Sequence, residues 1–266
     1  MTSKFRLFCY IDLKRQLGQI DAAAECVELA IREFIGLSKS FSDPSNFIQA
    51  LSQKHGIRVD VFDLDRFVQH AAALRLIGVT QAFEVFLSSF IEDHPRVGSR
   101  KDRQKGETLL DFVVRKLGLT AEVRRSLKTG LEYRLYNYYR LTRNDIAHEA
   151  LEQAAPTGPS QSLPELRAAS SSHSEYARLS APNELPKLTF DDYVLFTRSV
   201  KNLAAQLCQA GAFTDSEIID WLEAHRSRKG SMQRQKNAIK TSLRIFFGID
   251  GDYADQIARL IMGAGQ

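Results

Sequence analysis

Cysteine is scarce: the 266 residues hold 3, at Cys9, Cys26 and Cys208. They stand too far apart for a Cys-x-x-Cys metal or redox pair and are too few for the disulfide framework of a secreted domain. A reducing compartment, the cytoplasm, is the expected location. Long hydrophobic runs are also missing. No apolar stretch approaches the roughly 18 residues that span a bilayer, so no membrane partner is expected. Lys14 and Arg15 interrupt the N-terminus where the apolar core of a signal peptide would have to continue. There is no G-x-S-x-G elbow, no G-x-x-x-x-G-K-[ST] loop, no H-E-x-x-H and no glycine-rich dinucleotide turn, which removes support for hydrolase, NTPase, zinc-protease and Rossmann chemistry. Glu92-Asp93-His94 gathers three metal-binding residue types, but neighbours on a helix point about 100° apart and Pro95 follows at once, so the trio reads as a helix end with solvated charge. No metal or cofactor is expected.

Runs of alternating β-branched residues are absent as well, whereas apolar residues recur at steps of three and four almost throughout, which predicts an all-α protein. Leu29, Phe34 and Leu37 lie in a first helix, and Asp43-Pro44 supplies an N-cap and a first-turn proline for a second. A long core helix is expected from Asp65 to about Phe90, despite Gly78, which costs about 1 kcal/mol inside a helix. Gly118 and Thr120 end one short helix and cap the next, and a helix of about five turns follows from Thr129 toward Glu149. Five of the 7 prolines then crowd into 156–186 beside Ser170-Ser171-Ser172. This segment reads as a loop that adds nothing to the core. Thr189 with Asp192 restarts helix, Gly211 closes it, and Thr214 to Glu217 forms a capping box. The expected organisation is a helical extension at 1–66, a bundle at 67–210 carrying a loop insertion at 151–187, and a basic helical extension at 211–266.

The segment able to carry chemistry is Arg143-Asn144-Asp145-Ile146-Ala147-His148. Arginine grips phosphate with a planar fork of donors, and histidine exchanges protons near neutrality; together they are a minimal set for cutting an RNA phosphodiester without metal. A bare Arg-x4-His pair arises readily by chance, so its surroundings matter. Those surroundings resemble the HEPN superfamily, whose ribonuclease members carry R-[polar]-x-x-x-H at the end of a long helix in a four-helix bundle. Arg143, Asn144 and His148 match those positions in order. A preceding long helix with the phrase AFEVFL, a tyrosine-rich helix leading into the motif, an insertion after it, and LTFDDYVLFTRSVKNLAAQL as a last bundle helix agree with the resemblance, which covers about Phe67 to Ala210.

The resemblance implies a HEPN-like four-helix bundle with added helices at both termini, and a metal-independent endoribonuclease acting as a toxin or antiviral defence effector. In that reading the ribose 2′-hydroxyl attacks the adjacent phosphate, His148 moves protons, Arg143 stabilises the phosphorane and Asn144 orients them, with Glu84 in support. Arg143 and His148 are five apart and about 140° apart around the helix, so one chain does not easily focus both on one phosphate. A two-fold homodimer would bring both sets to one cleft, as in the resembling family. An antitoxin or regulatory protein is a further implied partner. Toxins of this family paired with nucleotidyltransferase antitoxins commonly carry tyrosine two residues past the histidine; this chain has Ala150 there.

Net charge is only +4, but it is unevenly spread. No acidic residue interrupts Ala224 to Ile249, where Arg226, Arg228, Lys229, Arg234 and Lys236 are the candidate RNA contacts and Lys240 and Arg244 add to the charge. A second basic stretch runs from Arg96 through Arg100, Lys101, Arg103 and Lys105. Tyr133, Tyr136, Tyr138 and Tyr139 are candidates either for stacking on bases or for the bundle core. The alternative from another class is a noncatalytic HEPN-like module that binds RNA or protein through its basic flanks.

Overall fold

The computed structural model describes residues 6–41, 43–60, 63–147, 163–225 and 230–263. All regular elements among the described residues are helical: α1 (Phe8–Ser38), α2 (Pro44–His55), α3 (Leu64–Asp93), α4 (Leu109–Lys116), α5 (Ala121–Thr129), α6 (Leu131–Ala147), α7 (Leu163–Ser172), α8 (Phe190–Ala210), α9 (Asp215–His225), α10 (Met232–Phe247) and α11 (Gly251–Gly263). The protein is all-α.

Most boundaries follow from capping chemistry within a few residues of the helix end. Asp43 Oδ1 accepts from the Ser45 N–H at 2.8 Å ahead of Pro44. Gly56 then turns the chain out of α2 with φ +66°, a left-handed conformation that costs glycine nothing. Thr108 and Thr120 accept from the backbone three residues on at 3.0 and 3.3 Å. The Thr214 box is reciprocal: its N–H donates to Glu217 Oε2 at 2.8 Å, and the Glu217 N–H donates back to Thr214 Oγ1 at 3.3 Å.

The chain forms two compact units, each built from separated segments. Unit 1 comprises Met1–Arg15, Phe83–Gly130 and Lys201–Gln266; unit 2 comprises Gln16–Ala82 and Leu131–Val200. This partition differs from consecutive segments at 1–66, 67–210 and 211–266, because α1, α3 and α8 each contribute a stretch to both units.

In unit 2, Tyr193 of α8 donates its hydroxyl to Asp21 of α1 at 2.6 Å. Arg75 of α3 donates to Glu28 of α1 at 2.8 Å and lies 5.1 Å over the Phe190 ring of α8. Tyr136 and Tyr139 of α6 pack on Phe196 of α8 with centroids 6.4 and 4.9 Å apart. Burying each such large side chain contributes about 1.5–3 kcal/mol. Leu17 and Ile31 are the core face of α1 here, while Leu29 and Leu37 point outward.

The part of the 151–187 insertion that the structure describes corrects the loop expectation. Residues 163–172 form α7, and Leu163, Leu166, Tyr176 and Ala181 are buried. The proline count misled because Pro164 sits in the first turn of α7, where its missing N–H is no loss. Residues 151–162 lie outside the described residues.

Unit 1 buries Phe83, Phe86 and Phe90 of α3 with Phe112 of α4, Leu207 of α8, Phe247 of α10 and Ile257 of α11. Contrary to the sequence reading, α3 is long and apolar enough to cross a membrane by length and composition, yet half of that apolar window is buried inside the protein, as in a core helix.

His94 is also corrected: it is buried and not solvated. Its Nε2 lies 2.7 Å from the Gly211 carbonyl, its Nδ1 3.3 Å from the Arg96 N–H, and its ring stacks on Phe90 and meets the edge of Phe213. These partners select the neutral Nε2–H tautomer, in which one nitrogen donates and the other accepts. Gly211 has to be glycine, since a Cβ there would sit 2.8 Å from Leu117 and 2.9 Å from His94 Nε2. Burial holds the His94 pKa below its usual 6.5, the Gly211 hydrogen bond and Glu217 opposing and Arg96 reinforcing. Below that pH the unfolded chain takes up a proton that the native state resists, so the stability is complete above the usual value and lost beneath it. Unfolding free energy is therefore expected to fall between pH 7 and 5, this group adding at most about 1.4 kcal/mol per pH unit. His94→Gln should remove that part of the slope in urea titrations; an unchanged slope would refute the assignment.

Candidate functional site

Helix α6 is held along most of its length. Tyr133, Leu135, Tyr136, Tyr138, Tyr139 and Thr142 are all buried, so the four tyrosines are packing residues and none is available to stack on bases. Glu132 accepts from the Tyr176 hydroxyl at 3.3 Å, and Arg134 pairs with Glu165 of α7 at 3.0 Å.

The strongest anchor is a buried polar network around Asp192, three residues into the start of α8. Its carboxylate accepts from Tyr139 Oη at 2.9 Å, from Asn183 N and Nδ2 at 2.7 and 2.9 Å, and from Thr189 N and Oγ1 at 2.9 and 3.2 Å. Tyr138 Oη donates to the Asn183 carbonyl at 2.5 Å, and Arg167 of α7 donates to the Pro182 carbonyl at 2.7 Å and to Asn183 Oδ1 at 3.2 Å. Burial pushes the Asp192 carboxyl upward, while the hydrogen bonds from Asn183, Thr189 and Tyr139 pull it back. Burial raises Tyr138 to about 12 and, with Asp192 beside it, Tyr139 well above the usual phenol value, so both keep their protons. The sequence signalled the Thr189–Asp192 cap but not the partners from α6 and the 173–189 segment.

This network holds the middle of α6 through Tyr138 and Tyr139; Arg143 and Asn144 follow about one turn later, at the end of the helix, and are half-buried. They are adjacent and so about 100° apart on the helix. His148 lies outside the described residues, so two of the three motif positions have a described geometry. Glu84 is half-buried on the stretch of α3 that belongs to unit 1, whereas Arg143 and Asn144 belong to unit 2. Arg140 lies one turn before Asn144 on the same stripe, with no motif signal in the sequence to mark it. Its Nε is buried with no hydrogen-bond partner among the described residues.

The basic flank is partly neutralised within unit 1. Arg226, Arg228 and Lys229 lie outside the described residues. Arg234 is exposed in the first turn of α10, but Lys236 and Lys240 both reach Asp255 of α11, at 3.2 and 2.9 Å. A stretch without acid in sequence thus receives a carboxylate from the next helix. In the second basic stretch, Arg96 forms a two-point pair with Glu217 at 2.7 Å per contact, which together with the Thr214 donors holds the Glu217 carboxyl at about 2. Arg100 pairs with Glu92 at 3.1 Å, leaving Lys101, Arg103 and Lys105 exposed. Among the described residues, no three His, Cys, Asp or Glu side chains are grouped to hold a metal ion.

The chain is thus an all-α protein with an Arg-Asn pair on the last turn of a firmly anchored helix. Comparison with protein-family models, curated proteins and solved structures yields no significant match.

Proposed function

We propose that this protein is a metal-independent endoribonuclease of HEPN type, acting in the cytoplasm as a toxin or defence effector. The observation that carries the reading is Arg143-Asn144 on the last turn of α6, a helix clamped by the Asp192 network, with His148 four residues past Asn144 in sequence. A rigid mount suits a group that must meet a phosphate with sub-ångström tolerance.

The chemistry is attack of a ribose 2′-oxygen on the adjacent phosphorus. His148 takes the 2′-hydroxyl proton or returns one to the departing 5′-oxygen, and Arg143 donates to the non-bridging oxygens as they gain charge. Asn144 positions these groups by hydrogen bonds. The P–O bond to the 5′-oxygen breaks as the 2′-oxygen bond forms, leaving a 2′,3′-cyclic phosphate. A homodimer with the two α6 helices side by side would present both Arg143–His148 sets to one RNA. In support of this bundle reading, α1, α3, α6 and α8 pack on one another within unit 2.

The test is incubation of single-stranded RNA with purified protein in EDTA, followed by analysis of the ends. Cleavage with 2′,3′-cyclic phosphate termini is expected. Binding without cleavage would replace the proposal with a noncatalytic RNA-binding module, and cleavage restored only by magnesium would overturn the mechanism.

A further inference from the structure

Unit 2 contains a cleft of about 570 Å³ bounded by the end of α1, by α2, by residues 57–59 and by the first turns of α3. That volume falls within the range of small-molecule sites. Its walls are apolar: Phe34, Ile48, Leu51, Ile57, Val59 and Phe67. Phe34 packs against Phe47 and Phe67 with ring centroids 5.2 and 5.8 Å apart, and of these Phe34 and Phe67 line the cleft. Ile57 and Val59, on one wall, keep 65% and 44% of their surface exposed.

The polar side chains at this cleft are Ser52, His55, Asp63, Arg66 and His70. Arg66, His55 and His70 stand on its rim, all exposed, and none of their side chains has a hydrogen-bond or ion-pair partner among the described residues. The single carboxylate on the lining, Asp63, is engaged at the α3 N-terminus, where its Oδ1 accepts from the Arg66 N–H at 3.0 Å. An apolar trough edged by an arginine fork that has no carboxylate partner among the described residues, with two imidazoles beside it that can donate, is complementary to an amphipathic anion.

We infer that this cleft binds a small amphipathic anion, with its apolar body against Phe34, Ile48, Leu51 and Phe67 and its carboxylate or phosphate-ester head on Arg66 beside His55 and His70. The Arg66 fork suits either head, since both present paired oxygens. The site is independent of the RNA-cleavage reading: none of its residues belongs to the Arg143 motif or to the basic flanks.

Calorimetry with the full chain tests it, using decanoate, decyl phosphate, decanol and decylamine below their micelle-forming concentrations. Saturable one-to-one binding of decanoate or decyl phosphate is expected, the tighter of the two identifying the head group, with decanol weaker by about tenfold and decylamine weaker still. Arg66→Gln, an exposed change that the fold tolerates, should erase the advantage of the anions over decanol. Leu51→Gln should weaken anions and decanol alike, with circular dichroism confirming that the helices persist. Equal binding of all four compounds, absence of saturable binding, or unaltered anion affinity in Arg66→Gln would each overturn the assignment. Capture of an acidic amphipathic peptide with no binding of either decyl anion would overturn it in favour of a protein partner.

Discussion

His148→Ala protein is expected to cleave RNA about two to four orders of magnitude more slowly than wild type, the range typical of losing a group that moves a proton in the transition state. Arg143→Ala should cost about two to three orders, as for the removal of one donor aimed at developing oxyanion charge. Because Arg143 is half-buried, its variant needs a control for folding. Arg143→Lys, which keeps the charge but loses the fork, should fold as wild type and still be strongly impaired. The shared cleft adds a distinguishing outcome. Mixed Arg143→Ala and His148→Ala chains should form heterodimers that regain part of the activity neither parent has. Wild-type rates in both single variants would remove this motif from the chemistry.

The second large effect is on stability. Asp192→Ala would leave the buried Tyr139 hydroxyl without its acceptor, and with it the part-buried Asn183 N–H and amide and the Thr189 N–H. A buried donor left without its acceptor costs about 1–3 kcal/mol, a large share of the 5–15 kcal/mol that holds a domain together. Urea unfolding should show that loss as a lower midpoint at unchanged slope. Asp192→Asn keeps the shape and one acceptor oxygen, so a loss of about 1–2 kcal/mol is expected. A midpoint for Asp192→Ala close to wild type would mean that the network does not hold α6 to α8. Because the same contacts hold α6 about one turn before Arg143, RNA cleavage should weaken in Asp192→Asn even at temperatures where the protein remains folded.

The stability outcome does not depend on the cleavage outcome. Asp192 tests how the fold presents Arg143 and Asn144, while His148 tests whether that presentation serves RNA cleavage. The decyl-anion measurements concern a different face of unit 2 and stand or fall alone.

What the sequence by itself determined is what neighbouring residues decide among themselves. Apolar spacing at three and four made the chain all-α, and Asp43, Thr108, Thr120 and Thr214 began their helices because a side-chain oxygen reaches a backbone N–H two or three residues on whatever the rest of the chain does. The chemical types of Arg143, Asn144 and His148 were likewise readable, since proton exchange and phosphate binding are properties of residue type. Burial and charge pairing were decided by the tertiary structure, because they depend on which distant segments meet. Asp255 neutralises Lys236 and Lys240 only because α11 folds back on α10, and His94 is desolvated only because Gly211 lets a backbone carbonyl approach. Four tyrosines that could have faced RNA became core when α7 and α8 closed over α6. The cleft beside Arg66 exists only because α2 and the first turns of α3 leave a gap against Phe34, a shape that no local pattern encodes.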